Sequence, residues 1–204
     1  MPIKLISGAG GSLTVTPAST ASNYTLTVPA VTANVVTTGD SNTITQTMVN
    51  QSSFFAGYGP AFSAYLSGNQ TLSHNTQTKI AFNTENFDTA SCFDSTTNYR
   101  FTPNVAGYYQ VNLNGYVTGG YNRAYFFRLD LFKNGAAMRY SGASITLTLG
   151  VDQSLVISDI VYLNGSTDYL EGYLYHYDYT ATTSVTIGGL TRFSNFSAAL
   201  MRSA

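Results

Sequence analysis

Ionic side chains are scarce in this 204-residue chain: charged residues make up 9%, against about a quarter in soluble proteins generally. Nine Lys and Arg against ten Asp and Glu leave a net charge of -1. Neither nucleic acid nor an anionic membrane surface is then expected as a direct partner, because both are held through clustered cations. Solubility has to come from Thr, Ser, Asn and Gln instead. The one cysteine, Cys92, excludes an intrachain disulfide, and reads as a small residue beside a strand. Two histidines, His74 and His176, supply no zinc-type ligand spacing. No apolar run reaches the roughly eighteen residues that a membrane-spanning helix requires. Residues 1–7 have one cation and no apolar segment behind it, so no secretory leader is expected.

Catalytic motifs are missing as well. There is no Gly-x-Ser-x-Gly elbow, no His-Glu-x-x-His pair and no Gly-rich phosphate loop. The acids are scattered singly among apolar residues, and Asp152, Asp168 and Glu171 form no close-set oxygen cluster of the kind calcium takes. No catalytic residue, metal site or cofactor is expected, and the chain reads as a non-enzyme. A carboxylate pair drawn from distant strands stays open, because spacing cannot test it.

What is present favours strands. Sixteen Tyr, twelve Phe and eighteen Gly accompany many Val and Thr, and no long 3.6-residue period interrupts them. The organising stretch is 98–117, a short aromatic strand, a turn punctuated by Pro103 and Gly107, and then a long alternating strand. Tyr109, Val111, Leu113, Gly115 and Val117 fall on one face of that strand, and Tyr108, Gln110, Asn112, Asn114 and Tyr116 on the other. Asn134-Gly135 and Asn164-Gly165 lie between apolar alternating runs and predict hairpins, since Asn-Gly tolerates the positive φ of a type I′ turn. Asn114-Gly115 has the same letters inside the alternation, where the strand period takes precedence.

Three runs look interfacial. Residues 155–163 are apolar on both faces, and a two-sheet sandwich covers only one face of each sheet, so the other asks for a second subunit. A lone Asp159 in that run needs a hydrogen-bonding partner. Tyr173, Tyr175, Tyr177 and Tyr179 alternate strictly with Leu174, His176 and Asp178, which suits a subunit interface or a sugar-stacking surface. Arg128 and Asp130, two residues apart on one strand face, read as an interfacial ion pair or as solvated neighbours.

The N-terminal part differs in character. Leu13-Thr-Val-Thr-Pro17 and Leu26-Thr-Val28-Pro29 are two short alternating strands stopped by proline, about a dozen residues apart. Strands this short cannot bury a core alone and need other chains to lean on. Residues 40–53 read as a hinge, and 54–60 as an aromatic collar.

Two resemblances give these patterns a context. Phe101-Thr-Pro103 followed by Gly107-Tyr-Tyr109, with Pro60-Ala-Phe62, Lys79-Ile-Ala-Phe82, Leu131-Phe-Lys-Asn-Gly135 and Phe196-Ser-Ala-Ala-Leu-Met201 in order, resembles the complement-head and tumour-necrosis-factor superfamily of trimeric jelly rolls. That resemblance covers residues 58–204, with a departure at the Gly-Gly-containing segment 118–123. Separately, Gly11-Ser-Leu-Thr-Val-Thr-Pro17, Ala21-Ser-Asn-Tyr-Thr-Leu-Thr-Val-Pro29 and Val35-Val-Thr-Thr-Gly39-Asp40 resemble stalk and attachment segments of tailed-bacteriophage fibre and decoration proteins.

The expected fold is all-β, an antiparallel two-sheet jelly-roll sandwich over residues 51–204, preceded by a short extended β-rich N-terminal attachment segment over residues 1–50. The resemblances imply a homotrimeric structural virion protein, assembled in the host cytoplasm: a capsid decoration (cement) or head-fibre protein whose partner is the major capsid protein or another virion protein. The alternative is a short tail fibre or receptor-binding protein whose knob recognises the host surface, with a surface glycan as ligand. The expected trimer interface comprises Phe62, Tyr109, Ile157, Tyr173, Tyr175 and Tyr177, and the expected attachment residues are Leu13, Val15, Leu26 and Val28.

Overall fold

A computed structural model describes residues 3–6, 12–15, 59–118, 125–145, 152–190 and 193–204. Contacts divide the chain into two compact units, Met1–Thr45 and Gln46–Ala204. In the first, β1 (Ile3–Ile6) pairs antiparallel with β2 (Ser12–Val15), with Ile3 opposite Val15 and Ile6 opposite Ser12. The strand read at Leu13 and Val15 therefore exists. Its backbone partner is β1, whose residues 3–6 carried no strand signal beyond Ile and Leu. Leu26, Val28, the hinge at 40–53, residues 54–58 of the collar and most of the 118–123 departure lie outside the described residues.

The described residues of the second unit form strands and their connections, with no helix among them. One sheet contains β3 (Ala61–Tyr65), β4 (Gln70–Leu72), β6 (Thr84–Asp88), β9 (Ala106–Thr118), β12 (Gln153–Asn164), β14 (Val185–Ile187) and β15 (Asn195–Ser203). The other contains β5 (Thr78–Lys79), β7 (Phe93–Asp94), β8 (Arg100–Phe101), β10 (Tyr125–Lys133), β11 (Ala136–Ile145) and β13 (Leu170–Asp178). Every pairing is antiparallel.

Strand β9 is the spine of the first sheet. Its whole length pairs with β12 on one side, from Ala106 opposite Asn164 to Val117 opposite Gln153, and with β15 and then β14 on the other. Beyond β15 the sheet continues through β3 to the short edge strand β6. In the second sheet β13 is central, flanked by β10 and then β11 on one side and by β8 and β5 on the other.

The alternation read from sequence sets the layers. Tyr109, Val111, Leu113, Gly115 and Val117 point inward from β9 and are buried. They meet Leu129, Leu131, Leu170 and Leu174 of the opposite sheet in one continuous core. Gly115 gives these leucines room: a Cβ would sit 2.8 Å from a methyl of Leu129. An aromatic cluster fills one part of the core, with Phe62 stacked on Phe93 (4.5 Å) and Phe101 (4.6 Å) and edge-on to Phe196. Tyr109 completes it, its hydroxyl donating to Val105 O at 2.7 Å.

The two Asn-Gly turns come out differently. Asn134 (φ 54°) and Gly135 (φ 77°) form the tight β10–β11 hairpin with the expected double positive φ. Asn164-Gly165 is not a hairpin, because β12 pairs in one sheet and β13 in the other. The connection crosses between layers, and Asn164 Oδ1 organises it by accepting from the N–H groups of Ser166, Thr167 and Asp168. Cys92 is buried immediately before β7, and burial pushes its thiol pKa up.

Candidate functional site

A jelly roll offers two outer sheet faces, and in this chain they are chemically unlike. On the first sheet the outward residues of β9 are Ala106, Tyr108, Gln110, Asn112, Asn114 and Tyr116, and those of β12 are Ser154, Val156, Ser158, Ile160, Tyr162 and Asn164. None is charged. Val156 (57%), Ile160 (55%), Met201 at the bulge of β15 (53%), Tyr108 (46%) and Tyr162 (43%) remain exposed. Tyr108 and Tyr162 stand directly opposite, their rings 5.5 Å apart. The polar side chains between them are bonded to one another: Gln110 Nε2 donates to Ser158 Oγ, Ser158 Oγ to Asn112 Oδ1, and Ser154 Oγ to Asn114 Oδ1. This leaves a largely neutral surface with exposed apolar groups, which the exposed Arg202 of β15 enters opposite Tyr108.

Charged groups also border that edge, where the Tyr116 hydroxyl donates to the Asp152 carboxylate. Asp159 Oδ2 lies 2.7 Å from Arg139 Nε of β11, an ion pair without hydrogen-bond alignment, while Oδ1 accepts from the N–H of Ile160. The partner that the lone Asp159 demanded thus comes from the edge strand of the opposite sheet. Lys133 closes the same border, donating to Tyr162 O at 2.8 Å and pairing with Asp168 at 2.9 Å.

The outer face of the second sheet carries the tyrosine ladder, and the chain covers much of it itself. Tyr173 packs on Phe132 at 4.3 Å with Lys79 Nζ over its ring. Tyr175 lies under the Arg128 guanidinium and donates its hydroxyl to Asn75 Oδ1 at 2.6 Å. Tyr177 packs on His74 and, edge-on, on Tyr179. Beneath these rings two carboxylates are buried. Glu171 receives Lys79 Nζ at 2.6 Å, and Asp130 receives Gln77 Nε2 at 2.6 Å and Arg128 Nε at 3.0 Å. Burial raises the Asp130 pKa, an effect that Arg128 and Gln77 only partly offset. Burial alone would lower the Lys79 pKa, but the bond to Glu171 reverses the direction. Arg128 and Asp130 are therefore paired with each other within the chain, and Asp130 is not a solvated neighbour.

Several expected interface residues sit elsewhere than their role requires. Phe62 and Tyr109 are buried in the core of the sandwich, packed against Phe93, Phe101 and Phe196. Ile157 points inward from β12; the outward residues of that strand are its even-numbered neighbours. Tyr173, Tyr175 and Tyr177 do lie on an outer face, on the sheet opposite to the exposed Val156, Ile160 and Tyr162. Leu13 and Val15 belong to β2. The exposed set is within reach of sequence, because residues 155–163 are apolar on both faces. Its parity is not, since either face could be the core. Among the described residues, no three of His, Cys, Asp or Glu gather in a way that could hold a metal.

No protein-family model matches the chain, and no curated protein matches it in sequence. Solved structures do. The globular domain of zebrafish complement 1qA protein aligns with 72% of this chain and 99% of its own, at 14% identity and a TM-score of 0.49. Eiger TNF from S. frugiperda aligns with 72% of this chain and 95% of its own, at 14% identity and a TM-score of 0.52. In fold, this chain is an all-β, two-sheet antiparallel jelly roll similar to that of Eiger TNF.

Proposed function

We propose that this chain is a non-catalytic structural module that works as a homotrimer, packing through the outer face of the β9–β12–β15 sheet. The observation carrying this reading is the surface on which Val156, Ile160, Tyr162, Tyr108 and Met201 are exposed, with Arg202, opposite Tyr108, as a charged group beside them. Single exposed apolar residues are ordinary; five on one charge-poor face have the composition of an interface core. Burying such a side chain fully gives about 1.5–3 kcal/mol, and several are needed to outweigh the freedom lost on association. Three copies are favoured over two by the resemblance of residues 58–204 to trimeric jelly rolls.

The biological setting we propose is a virion, with the protein serving as a capsid decoration or head-fibre component. The sequence of residues 11–40, with its likeness to phage attachment segments, supports this reading, and the N-terminal segment is the proposed anchor to the major capsid protein or another virion protein. Deleting residues 1–50 is expected to leave a folded trimer that no longer attaches to particles. Attachment by the truncated protein would move the anchor into the jelly roll. Copy number per virion, from quantitative mass spectrometry, separates decoration from a fibre. Hundreds of copies support decoration, and a few tens or fewer support the fibre.

A further inference from the structure

The two histidines of the sequence meet at one end of the sandwich. His176 of β13 is fully buried, with Nε2 2.9 Å from Thr183 O and Nδ1 3.2 Å from Ser73 O. Its two nitrogens thus face carbonyl oxygens of two loops, and the neutral ring can donate to one of them, Thr183 O at the shorter distance. Its backbone carbonyl accepts from Asn75 N at 2.9 Å, which holds the loop of Ser73. His74, in that loop, lies edge-on to His176 at 5.8 Å and accepts the N–H of Asp178 on its Nδ1 at 3.2 Å. An accepting Nδ1 places the proton of the neutral ring on Nε2.

We propose that His74 and His176 form an acid-released latch, which holds the 73–76 turn and the 179–184 loop onto β13 while both rings are neutral and loosens them when protons bind. For His74 the reason is one of roles. A protonated ring donates from both nitrogens, so Nδ1 would face the Asp178 N–H with no lone pair to offer. For His176 it is burial. An imidazolium would gain a second bond, to Ser73 O, but a charge moved out of water into this site costs more than one hydrogen bond returns.

The groups facing His176 weigh on the same balance. Tyr125 and Phe127 of β10 flank it with rings at 6.1 and 6.0 Å. His74 approaches from the 73–76 turn, so a proton on either histidine opposes one on the other. Asp178, two residues along β13, favours the charged ring. Its carboxylate is already occupied by the N–H groups of Thr180 and Ala181 and the hydroxyls of Thr180 and Thr183. Burial is the largest influence on His176 and lowers its pKa, against the two carbonyls and Asp178. A histidine lowered on folding contributes stability above its unfolded pKa, roughly 6.5, and loses that contribution as pH falls toward the folded value.

Hydrogen exchange of the full chain at pH 7.5 and 5.0, corrected for intrinsic rates, tests the latch. Amides of 73–76 and 179–184 are expected to lose protection about tenfold per unit of pH below the titration, while those of β9 keep theirs. His74→Asn, whose amide oxygen can accept where Nδ1 does, should lose less, and adding His176→Phe should abolish the pH dependence. Ring nitrogen shifts should show His74 protonated on Nε2 at pH 7.5. Unchanged or rising protection in acid, an equal loss throughout β9, or a proton on His74 Nδ1 would each overturn the proposal.

Discussion

The outer faces of the two sheets carry similar numbers of aromatic residues and treat them oppositely. On the β10–β13 face three ladder tyrosines have polar or aromatic partners from other strands and loops, Lys79 and Phe132 for Tyr173, Arg128 and Asn75 for Tyr175 and His74 for Tyr177, while Tyr179 and Tyr140 at its margins stay exposed. Two buried carboxylates lie beneath them, so further desolvation by a partner would burden ionic groups already short of water. On the β9–β12 face the polar groups satisfy one another and Lys133 Nζ lies over the Tyr162 ring, while Val156, Ile160 and Met201 are left uncovered. Aromatic density by itself does not mark an association surface. What marks it is apolar area that the chain's own polar and charged groups do not already use.

The comparison can be sharpened by substitutions that separate core, closed face and open face. The largest effect on stability is expected from Phe62→Ala, which empties the centre of the aromatic cluster at a cost of about 3–5 kcal/mol. Chemical denaturation should show that loss, with the association state of the still-folded protein unchanged, since Phe62 touches no outer face. Arg128→Ala on the closed face leaves Asp130 with Gln77 alone. About 2 kcal/mol is expected in the same assay, toward the low side for a buried pair because Arg128 is one-third exposed.

Acid should act at the end of the closed sheet. Burial would raise the Asp178 pKa, but the N–H of Thr180, the hydroxyls of Thr183 and Thr180 and the N–H of Ala181 together lower it to about 2. A carboxylate lowered on folding stabilises above its unfolded pKa, so this contribution is complete above about 4. It should disappear as pH falls from 4 toward 2, and Asp178→Asn should flatten that part of the stability profile. The smallest effect is expected for Tyr109→Phe. Losing the hydroxyl bond to Val105 O costs about 1 kcal/mol in urea denaturation, with no change in association, because the ring is sealed within one chain.

Much of the sandwich could be read from residues alone. The period of two in 106–118 was decisive because polar Gln110, Asn112 and Asn114 label one face unambiguously, and Asn134-Gly135 identified its hairpin through the backbone freedom of both residues. Strand 153–164 defeated the same reasoning. With Val156 and Ile160 on one face and Leu155, Ile157 and Val161 on the other, either could be the core, and only the pairing of Tyr162 with Tyr108 decides the parity. Asn164-Gly165 misled because local turn chemistry carries no information about which sheet the next strand joins. The closing of the tyrosine ladder was out of reach too, since Lys79 meets Glu171 across 92 residues and Gln77 meets Asp130 across 53. Such contacts are products of topology.

The association surface is the central claim, and sedimentation equilibrium of the full-length protein beside its Ile160→Asp and Tyr175→Asp variants tests it most directly. The account predicts three copies of the 21.9 kDa chain for the natural sequence and for Tyr175→Asp. It predicts folded single chains for Ile160→Asp, where a carboxylate would be stranded in the dry centre of the contact. A natural protein that sediments as one chain, or an Ile160→Asp variant that remains trimeric while Tyr175→Asp dissociates, would contradict it.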